Sequence, residues 1–321
     1  MPPRGAGMAE RRVLWLALAL LALCAAFLAW QLRAPMGFIL GLRAAKLGAL
    51  VCVGAATGAA TILFQTVASN RLLTPGLVGF DALFILLQTL LVLALGGVGL
   101  AQLPASLRFG MEVIALAAAS TALFGLLLRR DARDVTRMIL TGIILGVMLR
   151  GLAEMVQRLM DPSDFAVVQQ AMFASFGRVE PQQLAVSAVV LLAALAAALR
   201  MAPALDVAAL GRSTARGLGL DHDRLVLVTL LLMAAMVSVS TALVGPITFL
   251  GLLTASLARQ LTGSHRHAIL LPAAAMIGAL ILVAGQFVFE RLMGSQSALA
   301  VIVELFGGLL FLALVLKRRR R

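Results

Sequence analysis

Charge is scarce in these 321 residues: Asp, Glu, Lys and Arg make up 13%, against 62% hydrophobic residues and a mean hydropathy of +1.03. A chain with so little charge is excluded from the water-soluble class and falls among polytopic membrane proteins. Acids are scarcer than bases, 14 against 27. The excess does not point to nucleic acid, because the cations sit in short clusters between apolar runs, not in a continuous stripe interleaved with aromatics. Cations held to loops on the inner face of a membrane explain them better. Only two cysteines occur, Cys24 and Cys52, both inside apolar runs. Without a Cys-x-x-Cys pair or a third partner they exclude a disulfide framework and a zinc site. Of three histidines, His265 and His267 flank Arg266 with no nearby acid or thiol, and read as a basic cytoplasmic loop. There is no Gly/Ser-rich or Pro-rich linker and no Gly-x-x-x-x-Gly-Lys-Ser/Thr phosphate loop. Any ATP that drives this protein has to be hydrolysed by another chain. Nor is there a Ser/His pair, a His-Glu-x-x-His run or an intramembrane aspartyl pair to support an enzyme.

What is present is apolar length. A bilayer core takes about 20 residues of helix, and runs near that size recur at 13–32, 45–68, 79–100, 111–128, 136–159, 183–201, 225–244, 248–261, 268–288 and 298–316. The expected fold is all-α, about ten spans in a single membrane domain over 1–321. The first run follows Arg11-Arg12 but is longer than a signal-peptide core and lacks a small-x-small cleavage site, so it reads as an uncleaved span. The eighth is short and opens on Gly245-Pro246, as a broken helix would. Placing both termini in the cytoplasm puts Arg129, Arg130, Arg133, Arg137, Arg212, Arg216, Arg224, Arg259, Arg266 and Lys317–Arg321 inside. Arg43, Lys46, Arg108, Arg178 and Arg291 are left outside, against the trend.

The stretch from Phe64 to Asp81 places Asn70, Thr74 and Asp81 beside Pro75, Gly76 and Gly79, between two apolar runs. Proline and glycine break the helix here, and the polar groups need an environment other than hydrocarbon. Arg150, Glu154 and Arg158 recur at i, i+4 and i+8, giving one face of a span alternating charge. Charges at that depth are costly unless paired or wet. Pairing of Arg150 with Glu154 is favoured slightly over contact with a transported anion. Gly54-x-x-x-Gly58 matches a small-residue helix-packing pattern. The polar segment at about 204–224 is too short for a domain and too polar to span, and reads as an amphipathic turn-helix-turn lying against a partner. An ion-coupled secondary transporter using Asp81, Glu112, Arg150 and Glu154 is the rival from another class, and it leaves that segment unexplained.

Several of these segments resemble, in order, motifs of the FecCD-type permeases of bacterial ABC importers for iron complexes and cobalamin. Asn70-Arg71-Leu72-Leu73-Thr74-Pro75-Gly76-Leu77-Val78-Gly79 resembles the family's Asn-Pro-Leu-Ala-x-Pro-x-x-Leu-Gly, with Arg71 and Leu73 as departures. Gly245-Pro246-Ile247-Thr248-Phe249-Leu250-Gly251-Leu252 resembles Gly-Pro-Ile-x-Phe-Val-Gly-Leu. Leu210-Gly211 through Ala215, Arg216, Leu218 and Gly219 resembles the coupling segment that docks in a groove of the ATPase subunit. Arg43-Ala44-Ala45-Lys46 and Arg291 resemble the cations that dock the extracytoplasmic binding protein. Val135-Thr136-Arg137 resembles the cytoplasmic gate. The resemblance implies a translocation path or gate including Asn70, Thr74, Pro75, Gly79, Asp81, Thr136, Arg150 and Glu154. It further implies a second permease subunit in a heterodimer, two ATPase subunits, and no cofactor on this chain. Phe80-Asp81, Leu87-Gln88-Thr89 and Asp161–Phe176 are most similar to the branch for ferric siderophores, particularly catecholates. A haem or cobalamin importer is the nearer alternative.

Overall fold

The computed structural model describes residues 6–31, 35–131, 135–177, 179–292, 302–309 and 312, without the side chains of 6, 7, 124, 126–131, 135–139 and 292. All regular structure among the described residues is helical. In chain order the helices are α1 (Ala6–Ala29), α2 (Met36–Val67), α3 (Asp81–Gln102), α4 (Ala105–Asp131), α5 (Val135–Gln157), α6 (Pro162–Ala171) and α7 (Pro181–Arg200). There follow α8 (Ala202–Ala208), α9 (Arg212–Gly217), α10 (His222–Val244), α11 (Leu250–Thr262), α12 (His267–Phe287) and a helix over 302–309, α13. Wider π-type turns, Gly76–Phe80 and Val288–Leu292, lead into α3 and out of α12.

Among the described residues, eight helical stretches are long and apolar enough to cross a membrane: Met8–Ala29 of α1, α2, Gly76–Gln102, and parts or all of α4, α5, α7, α10 and α12. The expected short eighth span is α11, with 13 residues. The expected tenth lies mostly outside the described residues, apart from α13. One boundary differs clearly. α2 begins at Met36, not near 45, and its 32 residues extend over about 48 Å. That exceeds a ~30 Å hydrocarbon core, so the turns carrying Arg43 and Lys46 continue the helix beyond it.

α2 is the central post, buried along most of its length from Leu47 to Thr66 and packed against α12, α10, α11 and α7. The small residues make this closeness feasible. A Cβ on Gly54 would stand 2.4 Å from the Gly278 carbonyl carbon of α12, and one on Gly278 would stand 2.0 Å from the Gly54 oxygen. In lipid, where burial of apolar surface between helices gains little, such backbone contact is a main source of association. Around this centre α3, α5 and α6 form a second group, tied by a bond of 2.9 Å from buried Gln157 of α5 to Thr89 of α3. Cys24 is half-buried and Cys52 buried, and both are free thiols.

Candidate functional site

Two helix breaks meet inside the bundle. α2 ends at Val67, and the chain runs irregularly through Asn70, whose Oδ1 accepts the Leu72 N–H at 2.9 Å. It turns into α3 past Pro75, with Gly79 at φ +108°, a value L side chains rarely adopt. Gly79 also lies against Gly146 of α5, so its missing side chain lets the break approach that helix. The second break, between α10 and α11, carries Gly245 to Phe249. Thr248 joins the two: its Oγ1 donates to Asp81 Oδ2 at 2.6 Å, and its carbonyl accepts from Thr74 Oγ1 at 3.5 Å. Thr74, Pro75 and Asp81 are therefore brought together beside Thr248, with Gly79 next to Asp81 in the chain and Thr74 and Asp81 buried, while Asn70 stays with the irregular segment before them.

The expected pairing of Arg150 with Glu154 is not formed. Both side chains are exposed on the outer face of α5, and no ion pair joins them. An arginine preceding its acid by four residues is the weaker order for a helical pair, and water on an open face reduces the gain further. Glu154 and Arg158 instead line an open cavity of about 580 Å³ with Phe165 and Gln169 of α6. Glu112, one of the candidate membrane acids, is buried and accepts from Arg108 Nε at 2.9 Å, which explains it as half of a structural pair. The side chain of Thr136 lies outside the described residues.

At the end of the bundle that carries α9, a polar knot joins five segments. His267 was expected in a solvated basic loop. It is instead buried as the first residue of α12. Its backbone N–H and Nδ1 both meet Asp206 Oδ1 of α8, at 2.8 and 2.6 Å, and its Nε2 lies 2.7 Å from Thr66 Oγ1 of α2. The sequence showed no acid near His267 because Asp206 is 61 positions away. Beside it Arg259 donates to Gln65 at 2.8 Å, and Gln65 donates to the Arg71 carbonyl at 2.8 Å, at the start of the first break.

The expected turn-helix-turn is present as α8, α9 and the start of α10. Gly211 precedes α9. At its far end Gly219, at φ +83°, donates to the Arg216 carbonyl, and Leu220 donates to that of Ala215, each at 3.0 Å. This is a glycine-closed helix end with both returning bonds. Ala215 is fully buried, while Leu210 and Leu218 are 62% and 64% exposed. Arg212 and Arg216 both bond Asp223 of α10, at 3.2 and 2.6 Å, fixing α9 to the span that follows.

At the opposite end Arg43, Lys46 and Arg291 share a cavity of about 400 Å³. Each has a partner within the chain. Arg43 donates to the carbonyls of Leu28 and Trp30, 2.8 and 2.7 Å away, closing the end of α1. Lys46 pairs with Glu290, and Arg291 stands over the Phe27 ring. Glu290 is a residue that sequence reasoning missed.

A bundle of membrane-crossing helices with two facing interruptions around a buried carboxylate, and a short amphipathic helix presented at one end, defines a transport permease. The FecCD transport family profile matches residues 17–317, and the chain belongs to that family. It is 36% identical over 278 residues to the petrobactin import system permease protein YclO of Bacillus subtilis (strain 168), covering 87% of this chain and 88% of that one. It is 30% identical over 272 residues to the ferric enterobactin transport system permease protein FepD of Escherichia coli (strain K12), covering 83% and 78%. It is also 30% identical to the vitamin B12 import system permease protein BtuC of Klebsiella pneumoniae, over 91% of this chain and 83% of that one. Among solved structures, an inward-facing conformation of a metal-chelate type ABC transporter superposes with a TM-score of 0.78 at 22% identity, covering 96% and 99% of the two chains. That likeness establishes the fold.

Proposed function

We propose that this chain is the permease subunit of an ATP-binding-cassette importer that moves a ferric siderophore, of the catecholate type, across the bacterial inner membrane. The observation that carries the reading is the similarity, along most of the chain, to permeases named for petrobactin and ferric enterobactin. Both termini face the cytoplasm, and the whole chain acts as one membrane domain. It makes and breaks no bonds and holds no cofactor. ATP is hydrolysed by two ATPase subunits, one of which receives the segment at about 204–224 through Leu210, Gly211, Ala215, Arg216, Leu218 and Gly219. A second, different permease covers the open face of α5, so that Arg150, Glu154 and Arg158 border the path between the two chains. Asn70, Thr74, Pro75, Gly79, Asp81 and Thr136 belong to the path or its gate. A cobalamin importer is the second reading, favoured by the likeness to the vitamin B12 permease.

The test is uptake of radioactive iron, supplied as catecholate, hydroxamate and citrate complexes, and of labelled cobalamin, with and without the gene. Loss of catecholate-iron uptake alone is expected. Loss of cobalamin uptake with iron unchanged would replace the first reading by the second.

Arg43, Lys46 and Arg291 are assigned to docking an extracytoplasmic binding protein. Lys46 and Glu290 provide a way to separate docking from structure, because exchanging them retains their ion pair while moving each charge. The double variant Lys46→Glu, Glu290→Lys is expected to keep the detergent-extracted permease intact and to weaken binding-protein affinity roughly 10-fold, the scale of a rim charge. Binding-protein affinity equal to that of the natural chain would remove Lys46 from the docking surface.

A further inference from the structure

The two helix breaks enclose a cavity of about 20 Å³, whose lining includes Thr57, Thr61, Thr74, Asp81, Ser240 and Thr248. That is room for one water-sized species. Its polar lining is oxygen throughout. Asp81 is 7% exposed, and only its Oδ2 is engaged, by Thr248. Oδ1 accepts no hydrogen bond among the described residues. The hydroxyls are disposed as acceptors as well: Thr61 Oγ1 donates its proton to the Thr57 carbonyl at 2.8 Å, and Thr74 Oγ1 directs its proton to the Thr248 carbonyl. Thr61 thereby keeps its lone pairs for the cavity and Thr74 keeps one, its other accepting the Leu77 N–H at 3.3 Å.

Asp81 is a buried carboxylate with no ion-pair partner among the described residues, and an unpartnered charge within a membrane domain is costly. The last turns of α10 reach the cavity through Ser240 and Thr241, which brings the negative end of a helix dipole near it. No described His or Cys lines it, which disfavours transition metals. Carboxylate, hydroxyl and helix-end oxygens are the donors that hard cations take, and broken helices supply them in ion-binding transporters.

We propose that this cavity binds one monovalent cation of sodium size, with Asp81 Oδ1 as its charged ligand and the hydroxyls of Thr57, Thr61 and Thr74 completing the cage. The ion is a fixed counter-charge that holds the two breaks together. It needs no gradient and is independent of which chelate is carried.

The experiment is equilibrium binding of ²²Na⁺ to the full-length permease, purified in detergent with whatever subunits accompany it. The expected result is saturable binding of about one ion per chain, displaced by unlabelled sodium and not by choline. Asp81→Asn is expected to abolish it. The near-isosteric double variant Thr57→Val, Thr61→Val, which leaves every charge in place, is expected to lower affinity at least 10-fold and covers the case in which Asp81→Asn does not fold. Absence of saturable binding by the natural chain would overturn the proposal, as would unchanged binding in the threonine variant. Protein stability that responds to pH and not to sodium would overturn it too, and would assign the cavity to a protonated Asp81.

Discussion

Gly278→Leu is expected to leave almost no folded permease in the membrane, whereas Gly41→Leu is expected to be harmless. Both replace glycine by leucine in a helix, which by propensity alone is favourable by up to ~1 kcal/mol. The difference is what the new side chain meets. At Gly41, near the free end of α2, nothing lies within 4 Å of an added Cβ. At Gly278 the Cβ would lie 2.0 Å from the Gly54 oxygen and 2.7 Å from its carbonyl carbon. These are backbone atoms that no rotamer change can move aside. α12 has to retreat from α2 along the crossing, loosening the contact of Gly58 with Ala274 as well. Overpacking ordinarily costs about 1–3 kcal/mol, and a clash with backbone at the central crossing stands at or above the top of that range. The measurement is the monodisperse fraction of detergent-extracted protein by size-exclusion chromatography. A natural-sized peak for Gly278→Leu would contradict the close crossing.

The double variant Leu210→Asp, Leu218→Asp is expected to abolish ATP-driven uptake while leaving the chain folded and inserted. Both leucines flank α9 and are more than half exposed, and neither belongs to an apolar cluster among the described residues. The internal bonds of the segment, donated by the backbone of Gly219 and Leu220 and by Arg212 and Arg216 to Asp223, involve neither leucine side chain. Burying two leucines in a partner groove is worth about 3–6 kcal/mol together, so replacing them by charge lowers affinity for the ATPase subunit by roughly 100-fold or more. Co-purification with the ATPase subunit and uptake should fall together. Full co-purification would remove these side chains from the docking surface.

The helices and their interruptions were legible because hydrophobic length, proline and glycine act locally. The break at Pro75, the short α11 and the Gly54 contact all follow from neighbours in the chain. The pairing of the breaks was not legible. Nothing in the sequence links Asp81 to Thr248, 167 positions away. The same applies to His267, which looked like part of a basic loop because its partners Asp206 and Thr66 come from α8 and α2. Arg150 and Glu154 failed in the opposite way: their spacing allowed a pair, and the open face of α5 made it unnecessary. Glu290 was missed since a single acid beside Arg291 carries no pattern, and only the folding of α12 onto α2 brings it to Lys46.

Uptake of labelled ferric catecholate in cells whose ATP and proton gradient are collapsed separately tests the central claim most directly. The account predicts that arsenate, which depletes ATP, stops uptake, and that a protonophore applied while ATP is maintained does not. Uptake that survives ATP depletion and fails with the gradient would contradict it and make the chain an ion-coupled transporter.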